Sequence, residues 1–85
     1  MENKGENMNL NIAVLDALAD DFEGIEQIKK YLIFLGYEVE LDKIEEIIRW
    51  LLAQELIYIN QDLSDDVYTW YGMTEKGRNL WLQEN

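Results

Sequence analysis

Residues 41–60 read LDKIEEIIRWLLAQELIYIN, and the fold is decided inside that stretch. Leu41, Ile44, Ile48, Leu51 and Leu52 recur at about 100° per residue and Ile47 widens the stripe, the mark of a helix with one apolar face. Asp42, Glu45, Glu46 and Arg49 fall on the opposite side. Leu56-Ile57-Tyr58-Ile59 then breaks the period with a run of strand formers. A helix from Leu41 to about Gln54 that hands over almost at once to a strand is therefore predicted.

Reading downstream, Val67-Tyr68-Thr69-Trp70-Tyr71 is a second strand-forming run, ended by Gly72. The polar segment from Asn60 to Asp66 joins the two runs, so they predict an antiparallel hairpin. Thr74 is a natural N-cap for a last helix through Gln83. Upstream, Ile25, Ile28, Leu32 and Leu35 form a stripe that Tyr31 and Phe34 widen, giving a helix from Glu23 to Leu35. Gly36 stands where a left-handed C-terminal cap is expected. Tyr37 to Glu40 make a short turn with Val39 inward. Earlier still, Leu10, Ala13, Val14, Ala17 and Leu18 predict a helix from Asn9 to Ala19. Asp20 and Asp21 break it, and Phe22 opens a connector where a minimal first strand would sit. Residues 1–8 are polar and read as a disordered leader; residues 9–85 read as one domain.

The 85-residue chain is near the small end of what folds unaided, and its core must be dense in large apolar groups. With 48% hydrophobic residues, three Trp, five Tyr and two Phe, it meets that demand. It contains no Cys and no His, which excludes disulfides and thiolate or imidazole zinc sites, and removes the commonest general base and the best nucleophile. Nothing fixes two carboxylates beside a base or a phosphate loop. The chain reads as a non-enzyme with no cofactor and no metal. Asp62, Ser64 and Asp66 alternate as calcium ligands can, yet the turn glycine and distal Glu of a calcium loop are missing. No run of 18 apolar residues and no signal-peptide core appear, which suits a cytoplasmic protein without membrane contact.

Two stretches carry a family resemblance. Trp50-Leu51-Leu52 leads through Gln54-Glu55-Leu56-Ile57 into a strand, and Tyr71-Gly72-Met73-Thr74-Glu75-Lys76-Gly77-Arg78 joins a strand to a helix. Both resemble the winged-helix domains of bacterial transcription regulators. The resemblance implies an α+β winged helix-turn-helix fold: a three-helix core, a β-hairpin wing and a C-terminal helix. The family often has Gly where this chain has Glu55. It also implies that the third helix is the recognition helix, offering Asp42, Lys43, Glu45, Glu46 and Arg49 to the major groove.

Charge points the other way. Eighteen acids against seven bases give a net charge of −11, and three acids of the third helix face two bases. Phosphate neutralisation supplies nearly all non-specific affinity for DNA, and this surface has little to neutralise with. The leading expectation is thus a regulatory protein–protein interaction module. Its acidic face would be Asp42, Glu45, Glu46 and Arg49 with Trp50 as an anchor, joined by Asp62, Asp65 and Asp66 of the wing, and its partner a basic protein. The alternative is a DNA-binding transcriptional regulator acting as a dimer, using Lys43 and Arg49 with Lys29, Lys30, Lys76 or Arg78 at the phosphate backbone. Leu80, Trp81 and Leu82 make the last helix apolar enough to pair two copies as a homodimer, or simply to cover the core.

Overall fold

The computed structural model describes residues 3–84 as four helices and a two-stranded sheet, in the order α1 (Asn3–Ala17), α2 (Ile25–Phe34), α3 (Leu41–Ala53), β1 (Ile57–Ile59), β2 (Tyr71–Met73) and α4 (Glu75–Glu84). Helix α1 starts at Asn3, ahead of the predicted Asn9, and so takes in residues assigned above to a leader; Met1 and Glu2 lie outside the described residues. The helices interlock through one core. Leu10, Ala13, Val14, Leu15 and Leu18 from α1 and its end meet Ile28 and Leu32 of α2, and Ile44, Ile47, Ile48 and Leu51 of α3. Leu56 and Ile57 carry that core under the hairpin. Each such side chain contributes roughly 1.5–3 kcal/mol by leaving water, which is what lets a three-residue strand pair persist here. Three stripe assignments change. Leu35, just past α2, is 43% exposed. Phe34 does not widen the buried face of α2 but stands 82% exposed, and Leu41, in the first turn of α3, is 39% exposed.

Two helix ends share one solution. At the end of α2, the Tyr37 N–H reaches back to the Leu32 carbonyl (3.0 Å) around Gly36, whose φ is +103°. At the end of α3, the Leu56 N–H reaches the Leu51 carbonyl (2.9 Å) around Glu55, at φ +61°. Both are left-handed C-terminal caps that satisfy otherwise orphaned carbonyls. Glycine enters that region freely; Glu55 does so at a cost of about 1 kcal/mol.

In the hairpin, Ile57, Tyr58 and Ile59 pair antiparallel with Met73, Gly72 and Tyr71. Glu23 makes an isolated bridge to Tyr71, the minimal extra strand expected in the connector. The second strand, however, is not Val67–Tyr71. It begins at Tyr71 and runs through Gly72 to Met73, because residues 60–70 form a self-bonded loop instead of extending the ladder. The Asn60 N–H meets the Trp70 carbonyl at 2.8 Å to close it. Asn60 Oδ1 accepts the N–H groups of Asp62 and Leu63, and Asp65 Oδ1 those of Val67 and Tyr68. These Asx-type turns outcompete a longer sheet. Tyr68 and Trp70 pack edge to face at 5.1 Å, and the Tyr68 hydroxyl donates to Gln27 Oε1 in the first turn of α2.

Candidate functional site

The site is built on α3. Its buried stripe of Ile44, Ile47, Ile48 and Leu51 turns Asp42, Glu45, Glu46 and Arg49 to solvent, as the helical spacing requires. Lys43 is exposed too and lies 3.8 Å from Glu46, a surface pair worth little in water. Glu45 borders the hairpin: burial first, and then the Glu45 charge, push the Tyr71 hydroxyl up from its ordinary value. Trp50, 47% exposed, occupies the other flank, where it lines a cleft of about 210 Å³ with Ile12, Leu15 and Leu80.

On the wing, Asp62, Asp65 and Asp66 are all exposed. Asp65 is different from its neighbours. The backbone N–H groups of Tyr68 (2.8 Å) and Val67 (2.9 Å) hold its carboxylate below the usual range, so its first role is to shape the loop.

The bases are dispersed. Lys29 and Lys30 belong to α2, the second of them exposed. Lys76 and Arg78 are each engaged with a backbone carbonyl. Lys76 Nζ donates to the Gln54 carbonyl, the cap of α3 (3.0 Å), and Arg78 Nη2 to the Ala19 carbonyl just beyond α1 (3.0 Å). Arg78 also lies 5.8 Å from the Trp81 ring centroid. As bases at the start of α4 they gain nothing from its dipole; they complete the negative ends of two other helices. The rest of the Thr74–Arg78 run completes this clasp. Thr74 Oγ1 accepts the Gly77 N–H (3.0 Å) as the predicted N-cap and donates to the Glu55 carbonyl (2.7 Å). A Cβ on Gly77 would lie 2.0 Å from the Leu56 carbonyl oxygen.

Sequence reasoning passed over Asp16. Its carboxylate accepts the Tyr31 hydroxyl of α2 through one oxygen and the Trp81 indole N–H of α4 (2.9 Å) through the other, tying three helices. Only its place on the inner edge of α1, beside Leu15, could have signalled it. Among the described residues no His, Cys, Asp or Glu group is arranged to hold a metal ion, and no helix is long and apolar enough to cross a membrane.

Helix, helix, helix, hairpin and closing helix, with the second and third helices joined by a tight turn, make this a winged-helix domain. No family profile matches the sequence, and no curated protein does. Solved structures do match in shape. PadR of Bacillus subtilis, in complex with operator DNA, superposes with a TM-score of 0.76 over 88% of this chain and 45% of that one, at 15% identity. BpsR of Bordetella bronchiseptica, whose DNA binding is regulated by 6-hydroxynicotinic acid, gives 0.72 over 87% of this chain and 53% of that one, at 21% identity. The chain thus spans about half the length of each, and the likeness is one of fold.

Proposed function

We propose that this chain is the DNA-recognising module of a transcription regulator, with α3 presented to the major groove. The observation that supports this reading is the shape match to proteins that bind DNA, one of them solved on its operator. In this reading Arg49 and Lys43 meet bases or phosphates, while Glu45 or Glu46 accepts from a cytosine amino group. Lys76 and Arg78 hold helix ends, so the contact is left with few bases. With Arg49 on a base and Lys43 on a phosphate, each copy gives a salt slope of only about −1, or about −2 for a twofold pair built on α4. Binding is then selective and weak, with little affinity for arbitrary sequence. The module itself is not catalytic.

The test is enrichment of duplexes from a randomised pool at about 50 mM salt, followed by fluorescence anisotropy on the enriched sequence. Saturable binding that weakens with salt and drops about tenfold in Arg49→Ala is expected, since one bidentate base contact is worth 1–3 kcal/mol. No enrichment and a flat titration would reject the reading.

One observation favours a second reading, a protein-interaction module: Asp42, Glu45 and Glu46 dominate the outward face of α3, and Asp62 and Asp66 the wing. A basic partner would be steered to that surface, and Glu45→Lys with Glu46→Lys would slow its association.

A further inference from the structure

Beyond its first turn, where the Tyr68 hydroxyl meets Gln27, the outward face of α2 has no partner among the described residues. Ile28 and Leu32 are buried, which places Lys30, Ile33 and Phe34 together on the opposite side, with Lys29 at its edge. Ile33 is 53% and Phe34 82% exposed. Neither lysine has an ion-pair partner among the described residues. In a chain of net charge −11, these are the only adjacent bases, and they lie one turn from the most exposed aromatic side chain. Large apolar groups left in water beside unpaired charge mark interaction surfaces.

The complement is carried by the same chain. At the wing tip, Leu63 is 50% and Val67 89% exposed, each directly preceded in sequence by an exposed acid, Asp62 and Asp66. Two apolar groups and the Asp62 and Asp66 carboxylates thus answer two apolar groups and the Lys29 and Lys30 ammonium groups, with Glu26 the one acid on that face. The loop's own hydrogen bonds already fix its shape, so docking it costs little ordering. Within one molecule the wing engages α2 at its first turn, not at Phe34. The Tyr68 hydroxyl ties the wing to Gln27 in the first turn of α2, and Phe34 lies about 10 Å further along that helix.

We propose that the wing tip of a second copy of this chain, residues 62–67, docks on the Lys30–Ile33–Phe34 face of α2. The inference goes beyond the DNA reading and does not rest on it. The two surfaces differ, so the contact is head-to-tail: the end copies keep one free donor loop and one free acceptor face, and assemblies grow past the dimer until a ring closes or as open chains. Its salt dependence is unusual. Copies of net charge −11 repel one another at low ionic strength, whereas at about 0.15 M the Debye length shrinks to about 8 Å and spares only pairs in contact. Association therefore strengthens from about 10 mM to about 150 mM salt.

Sedimentation velocity on the full chain tests this, from about 20 µM to about 500 µM, the range proper to small interfaces. The expected result is a weight-average coefficient that rises with concentration and passes the value for a dimer. A face variant, Phe34→Ser, and a loop variant, Leu63→Ser with Val67→Ser, each weaken association at least tenfold. Their equimolar mixture forms a dimer that grows no further, because each variant retains one working surface. Lys30→Glu, at an exposed helical position, provides a second face variant in case Phe34→Ser disturbs folding, which circular dichroism reads. A wild-type chain that stays monomeric throughout overturns the proposal. So does association that survives in both variants, or a mixture that stays monomeric.

Discussion

Glu55 stores a small, removable strain. Its backbone sits at φ +61° in a cap that Gly36 fills without penalty at the end of the preceding helix. Glu55→Gly should raise stability by about 0.5 kcal/mol, the relief of a left-handed side chain less the added freedom of the unfolded chain. A thermal melt should show a gain of about 2–4 °C. Gly77→Ala should do the reverse. Its Cβ would be driven into the Leu56 carbonyl oxygen, and backbone cannot step aside as a side-chain tip can. A loss of about 3 kcal/mol in urea unfolding is expected, at the upper end for overpacking. These two positions were unequally legible. The first was marked in the sequence by Glu55, where the winged-helix domains that the chain resembles often have Gly. The second depends on a carbonyl more than twenty residues away, which no local pattern reports.

At the scale of elements, the sequence separated helix from strand wherever one face is buried. The periodicity of α2 and α3 was enough to place both within two residues at each end. The second strand was misplaced because Val67, Tyr68 and Trp70 have strand-forming side chains, yet Asn60 and Asp65 bind the local N–H groups more cheaply than a longer ladder would. Asp16 tests how elements are held together. Asp16→Asn keeps one carbonyl acceptor where two oxygens served Tyr31 and Trp81, and should cost about 1–2 kcal/mol. The same contact has a pH signature. Accepting the Tyr31 hydroxyl, Asp16 pushes that phenol from 10.0 up to about 12, with burial adding to the effect. The folded state thus favours the neutral phenol. Its stabilisation is complete below pH 10 and is lost as pH rises towards 12. Urea unfolding of wild type and Tyr31→Phe should diverge below pH 10 and converge above it; parallel curves would remove the tie.

For the molecule as a whole, the signals of fold and of surface charge lie in different parts of the chain. Buried periodicity and the Thr74–Arg78 run gave the winged helix. The charge of the outward faces pointed away from DNA, and the commitment of Lys76 and Arg78 to helix-end carbonyls leaves fewer bases still for phosphate. A net charge of −11 on 85 residues also weighs on the folded state itself, which holds those acids closer than the unfolded chain does. Raising salt from about 10 mM to about 200 mM should lift the melting temperature by a few degrees, as the screening length falls below the spacing of most surface acids. A melting point indifferent to salt would mean that the acids are already spaced too widely to matter. The clasp at the start of α4 has a further consequence, an evolutionary one. Thr74, Lys76 and Arg78 secure the ends of α1 and α3 through backbone carbonyls, which every residue possesses. The outward side chains of α3 can therefore mutate freely without loosening it. A lineage built on this scaffold can trade one target for another, acids for bases, while its fastening signature stays legible and says nothing of the trade.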